Sequence, residues 1–159
     1  MSYVNKIVLN GIEVQLNSLE GLQDAEGHNR FIGDDLVDSE IEGLTLNYSK
    51  WSLSGTHLML VLSYSITAQT SLSNYTDLAY AQVPEWVISK IATISGQTNR
   101  AILKDFNSTN QYGSPDQTVS LALNKDTANN RLYIQTADSV TLGADTYLRI
   151  QFDLLIDND

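Results

Sequence analysis

Two histidines, His28 and His57, and no cysteine make up the conventional catalytic and metal-binding inventory of this chain. Thiol nucleophiles and cysteine-based metal sites are therefore excluded. Neither histidine has a further ligand at i+2 or i+4, or belongs to an acidic triad, so both read as ordinary solvated side chains. Asp34, Asp35, Asp38, Glu40 and Glu42 cluster in sequence. Glycoside hydrolysis needs two carboxyl groups roughly 5 to 10 Å apart, one of them in an apolar pocket that raises its pKa. A stretch flanked by Gly33 and Gly43 offers no such pocket and reads as a solvated acidic face. The loop from Asp105 to Asp116 places oxygen-bearing side chains at Asp105, Asn107 and Thr109, in the manner of a calcium loop. Asn110 stands where such a loop turns on glycine, and Asp116 stands where it ends on glutamate, so no metal is expected. There is no phosphate-cradling glycine loop and no nucleophile elbow. These residues predict neither an enzyme nor a cofactor.

Aromatic side chains remain: Trp51, Trp86 and eight tyrosines. Tyr75, Tyr80 and Tyr112 sit among Ser, Thr, Asn and Asp, together with Asn107 and Asp116. That mixture suits a saccharide, because aromatic faces stack on pyranose C–H groups while amides and carboxylates bond the hydroxyls. It equally suits a contact between subunits. The two tryptophans read as core.

The elements that must position these residues are strands. From Thr146 to Asp157, Leu148, Ile150, Phe152, Leu154 and Ile156 alternate with polar residues, which predicts a long terminal strand with one buried face. A second strand, from His57, puts Leu58, Leu60, Leu62, Tyr64 and Ile66 on one face. Met59 and Val61 make one end of its other face apolar as well, and with Leu155 they are candidate oligomer contacts. Ahead of it, Leu44, Leu46 and Tyr48 mark a strand that ends at a Ser54-Gly55 turn. Pro84 suits the first turn of a short helix with Trp86, Val87 and Ile91 inward, and a strand from Trp86 to Ile94 is the near-equal alternative. Strands follow at Arg100 to Phe106, Thr118 to Asn124 and Arg131 to Thr136. Seven or eight strands with long connections predict an all-β, two-sheet antiparallel sandwich of jelly-roll or Greek-key type, with at most one or two short helices.

Three segments are expected. Residues 1–16 form an N-terminal hairpin about Asn10-Gly11, a dipeptide suited to a type I′ turn. An isolated hairpin is marginal in water, so it must dock on something else. Residues 17–43 hold four glycines among many acidic residues without a helical or strand period and read as a linker. Residues 44–159 are the sandwich.

Nineteen acidic against nine basic residues give a formal charge of −10, which repels nucleic acid and anionic membranes. No run reaches the roughly 18 apolar residues of a membrane span, and MSYVNKIVLNG lacks the pattern of a secretory signal. Asn-x-Ser/Thr triplets at Asn47, Asn74 and Asn107 carry no glycosylation inference without such a signal.

The run from Tyr48 to Leu62, YSKWSLSGTHLMLVL, then Val83-Pro84-Glu85-Trp86, and finally YLRIQFDLLI from Tyr147 to Ile156, resembles the C-terminal domains of virion fibre and tail proteins of phages that infect Gram-positive bacteria. The hairpin followed by Gln23-Asp24-Ala25-Glu26-Gly27 is similar to openings of such proteins. The resemblance implies a homotrimeric β-sandwich knob that attaches the virion to host surface saccharide, made in the host cytoplasm and anchored to other virion proteins through its N-terminal segment. The chain lacks coiled-coil heptads and shaft repeats, which keeps open a structural decoration or head or tail fibre protein that binds no glycan. A carbohydrate-binding module outside viruses is the remaining alternative.

Overall fold

The computed structural model describes residues 6–9, 12–15, 26–91, 98–105 and 117–156, with side chains over 26–91 and 119–156. The expected N-terminal hairpin is present: β1 (Lys6–Leu9) and β2 (Ile12–Gln15) pair antiparallel with Leu9 opposite Ile12. The body consists of β3 (Phe31–Asp34), β4 (Val37–Asp38), β5 (Leu44–Ser54), β6 (His57–Ile66), β7 (Thr70–Leu72), β8 (Asp77–Gln82), α1 (Glu85–Lys90), β9 (Thr98–Asp105), β10 (Gln117–Asp126), β11 (Arg131–Thr136), β12 (Val140–Leu142) and β13 (Thr146–Leu155). It is the antiparallel, sandwich-like all-β architecture that the alternation predicts. Leu58, Leu60, Leu62, Tyr64 and Ile66 of β6 are buried, as are Leu148, Ile150, Phe152, Leu154 and Ile156 at the chain's end.

Nine strands form one antiparallel sheet in the order β3-β5-β6-β13-β9-β10-β11-β8-β4. The sheet folds over on itself. The Tyr64 hydroxyl on β6 lies 2.7 Å from the Leu78 carbonyl oxygen on β8 and 2.8 Å from Asp38 Oδ1 on β4. Laid flat, β6 and β8 would stand about 24 Å apart at about 4.8 Å per strand. The inner faces of the two layers therefore meet, and Leu132, Ile134, Ala79 and Ala81 pack there with the β6 and β13 side chains.

Residues 31–43 belong to this body, which corrects that part of the linker expected over 17–43; residues 17–25 lie outside the described residues. β3 pairs with β5 at one edge of the sheet, and β4 pairs with β8 at the other. Only Asp35 and Leu36 separate β3 from β4, so one bent segment joins both edges. Leu36 is buried, and the Ser49 hydroxyl accepts from its amide at 3.1 Å and donates to its carbonyl at 3.4 Å. The acidic side chains that obscured the strand pattern point outward or, in Asp38, receive the Tyr64 hydroxyl. Gly33 has its own reason: a Cβ there would stand 2.5 Å from the Trp51 carbonyl oxygen, so β3 approaches β5 too closely for a side chain.

A register shift between Leu46 and Tyr48 corrects the reading of β5. The extra residue reverses which positions face inward. Leu44 is buried before it and Ser49, Trp51 and Leu53 after it, while Tyr48 turns out to solvent. Of the two alternatives for residues 85–94, the helix forms over Glu85–Lys90, with Val87 and Ile88 buried. Its first turn holds Glu85 and its last Lys90, each the favourable charge for that end of the dipole. Trp86 is half-buried, stacked on His28 at 4.6 Å with the planes 10° apart. His28 is thus a packing residue and not the solvated side chain expected.

Two short strands the alternation did not reveal, β7 and β12, pair with each other and expose an internal two-fold relation. Ser71 lies opposite Thr141, their hydroxyls 3.0 Å apart, at the centre. On either side the chain repeats itself at one constant spacing. Leu72 and Leu142 are buried, and Tyr75 and Asp145 take φ of 60° and 58°. The Thr76 hydroxyl donates to the Ser73 carbonyl and that of Thr146 to the Gly143 carbonyl. The Tyr75 amide donates to the Thr136 carbonyl and that of Asp145 to the Ile66 carbonyl. The β4–β8 and β9–β13 halves are two copies of one Greek-key path, each completing the other's layer.

Two outcomes test this account. Ser49→Ala leaves the buried Leu36 amide and carbonyl without their partner, and urea denaturation is expected to show a loss of about 1–3 kcal/mol; an unchanged midpoint would show that the closing segment is not held there. Burial first, then Asp38, pushes the Tyr64 hydroxyl far above its ordinary pKa of 10.0. The unfolded chain gives up that proton at lower pH than the folded one, so the contribution is complete below about pH 10 and is lost as pH rises beyond it. Tyr64→Phe is expected to be less stable than the parent at neutral pH, with the gap narrowing above about pH 10; a gap that widens with pH refutes the assignment.

Candidate ligand surface

Alternation along β8 and β11 sends Ala79, Ala81, Leu132 and Ile134 into the core and leaves Tyr80, Gln82, Arg131 and Tyr133 on the outer face. The register places Tyr80 opposite Tyr133 and Gln82 opposite Arg131, so the four form one patch. Val37 of β4, exposed at 44%, lies beside Tyr80, and exposed Asn124 of β10 lies beside Tyr133.

Arg131 organises the patch. Its guanidinium carbon sits 4.5 Å from the centroid of the Tyr80 ring, a cation–π arrangement. Its Nε donates to Gln82 Oε1 at 3.4 Å, and an Nη donates to the Tyr133 hydroxyl at 3.2 Å. That hydroxyl is the main reason the guanidinium holds its proton even more firmly than usual. The Gln82 amide nitrogen donates to the carbonyls of Asn129 at 2.8 Å and Asn130 at 3.1 Å, which ties the patch to the β10–β11 turn. Asp126 shapes that turn by accepting from the Ala128 and Asn129 amides and from the Asn129 side chain. The Asn129 side chain is the first cause of the lowered pKa of its carboxyl group. The rings of Tyr80 and Tyr133 are tilted by 48° with centroids 5.3 Å apart.

The sequence-derived ligand residues divide. Tyr80 is in the patch, but its ring carries Arg131, so it works as a platform for a cation. Tyr75 stands at 65% exposure in the turn before β8, five residues along the chain from Tyr80, and is not part of the patch. Asn107, Tyr112 and Asp116 lie outside the described residues. Arg131, Tyr133 and Gln82 were missed. Their signal was the polar half of the alternation in RLYIQT, whose meaning depends on the strand it pairs with.

Two other surfaces border the body. The hydroxyls of Ser71, Ser73, Ser139 and Thr141 line a shallow groove of about 290 Å³ over the internal two-fold relation. On the outer face of β6 and β13, Met59 is 39% and Leu155 64% exposed, and Val61 is half-buried. Met59 is therefore not covered from both sides by the described residues. Polar groups interleave with it: His57 Nδ1 lies 3.3 Å from Asp153 Oδ1, and Gln151 Nε2 lies 3.9 Å from the Met59 sulfur. Among the described residues, no group of three His, Asp or Glu side chains is placed to hold a metal ion. None of their helices is long and apolar enough to cross a membrane.

No protein-family model matches the chain, and no curated protein does. Among solved structures, the chain is similar to a reovirus attachment protein, sigma1, determined in complex with alpha-2,3-sialyllactose. The alignment has a TM-score of 0.39 and 8% sequence identity and covers 98% of this chain and 87% of that one.

Proposed function

We propose that this chain is a non-catalytic attachment domain of a virion, of the kind carried by phages of Gram-positive bacteria, and that it binds host saccharide through the outer face of β8 and β11. The observation that carries the reading is the Tyr80–Arg131–Tyr133–Gln82 patch. Four side chains that offer ring faces, hydroxyls and amide groups are fixed against one another on a rigid sheet. Saccharides are recognised by that combination, and groups on strands hold their geometry better than groups on loops. The sequence resemblance supplies the virion context. Residues 1–16 are the segment that joins the domain to other virion proteins. A homotrimer built through Met59, Val61 and Leu155 presents three such patches, so weak single-site binding becomes firm attachment to a surface.

Both parts are open to measurement. Light scattering of the purified chain is expected to give three times the chain mass, and the double variant Met59→Glu, Leu155→Glu to give the monomer; a parent chain that is already monomeric removes the trimer. Labelled protein on a glycan array is expected to bind a defined set of saccharides, with Tyr133→Ala losing about tenfold or more in affinity while its thermal melt stays close to that of the parent. Correctly folded protein that binds no saccharide on the array and no Gram-positive cell would replace this reading with a purely structural role in the particle.

A further inference from the structure

The direct contacts that fix Arg131 are with uncharged groups among the described residues: the Tyr80 ring, the Tyr133 hydroxyl and the Gln82 amide oxygen, while the Asp126 carboxylate acts on it only through space. A guanidinium has five N–H donors, and these contacts occupy two. The carboxylate opposite it, and the one at the far end of the β8–β11 ladder, accept hydrogen bonds from other groups. Asp126, across the hairpin from Arg131, accepts from the Ala128 and Asn129 amides through Oδ1 and from the Asn129 side chain through Oδ2. Asp77, at the start of β8, accepts from Gln135 Nε2 at 2.6 Å. In a chain with 19 acidic and nine basic residues, a fixed arginine is easily bonded to a carboxylate, and this one is fixed by neutral groups instead.

The geometry points to Arg131 as the receptor for a singly charged oxyanion, a carboxylate or a phosphodiester, carried on the saccharide. This inference rests on the saccharide-binding reading above and narrows it to acidic glycans. The N–H donors that Gln82 and Tyr133 do not take are enough to meet two oxygens of such a group in parallel. Tyr80, Tyr133 and Gln82 have already set its orientation, so little side-chain freedom remains to be lost on binding. Tyr133 and the exposed Asn124 next to it then meet the sugar ring and its hydroxyls.

The test uses the full chain and three oligosaccharide probes: an oligogalacturonate, its methyl ester, which removes the charge from the same backbone, and a ribitol-phosphate oligomer. An array of acidic and neutral glycans is read in parallel. Affinities come from calorimetry, and contacts from the arginine Nε–H signals in NMR. We expect acidic glycans to dominate the array, a charged probe to bind at least about tenfold more tightly than the ester, and the Arg131 Nε–H signal to shift. Arg131→Gln is expected to abolish the preference, and Arg131→Lys to lose most of it because a point charge lacks the paired donors. Whether the carboxylate or the phosphodiester probe binds more tightly identifies the source of the oxyanion, and either one supports the inference. Neutral glycans bound as well as acidic ones, or an acid preference that survives in folded Arg131→Gln, would overturn it while leaving saccharide binding intact. Absence of binding to every glycan and probe would overturn it together with the functional reading.

Discussion

The two-residue link between β3 and β4 is the constraint on which the remaining structure depends. β3 and β4 would stand about 38 Å apart in a flat sheet, yet Asp35 and Leu36 alone connect them. A connection that short is compatible only with a sheet that has curled until its edges meet. The curl buries the inner faces of β6, β8, β11 and β13 against one another. The Ser49 hydroxyl satisfies both backbone groups of Leu36 at the point where the ladder changes partner. A buried amide and carbonyl left unpaired at that point would oppose closure by about 1–3 kcal/mol each. The same segment supplies both edge strands of the large sheet, and both are short, which limits the edge that a strand-rich chain otherwise has to protect from pairing with its neighbours.

The internal two-fold relation explains how a short chain fills two layers. Each half begins with a strand beside its own last strand, runs through a hairpin that pairs with the other half's last strand, crosses at β7 or β12, and returns. What the halves share lies inside: the buried leucines, the left-handed residue at Tyr75 or Asp145, and the threonine that follows it. What they do not share lies outside. Arg131 and Tyr133 of β11 occupy the positions that Val61 and Ser63 occupy on β6, so one outer face carries a fixed cation and phenols where the other carries Val61 beside Met59. The repeated interior follows from packing. The differing exteriors are where the proposed ligand and neighbour contacts have room to reside.

Long, half-buried strands were legible because burial imposes a period of two over ten residues, as in β6 and β13. Strands of two to four residues were not, apart from the β1–β2 pair that Asn10-Gly11 marks. β3, β4, β7 and β12 are too short to show a period, and the carboxylates of Asp34, Asp35 and Asp38 made the first two look like linker. The bulge in β5 defeated a strict alternation, since Tyr48 is in phase with Leu44 and Leu46 by counting and out of phase in space. The Tyr80–Arg131 patch was the least legible element. Tyr80 and Arg131 are neighbours only because β8 pairs with β11, and that pairing is a property of the whole topology. A tyrosine could be read as a candidate, but the cation it supports could not.

Holding a cation with neutral partners has a physical logic in a chain of this charge. A surface arginine paired to a carboxylate gains little stability, and its donors must be released before they can serve anything else. A ring, a phenol and an amide fix its orientation without a direct ion pair, and the Asp126 carboxylate opposite it is held by the turn it shapes. The surrounding negative field repels anions at distance and is screened beyond about 8 Å at physiological salt. An anionic ligand therefore gains its favourable interaction only on contact with Arg131, and the rest of the surface discourages it from settling elsewhere. Selectivity in such an arrangement comes as much from where the acidic surface forbids binding as from the one place where it has been left incomplete.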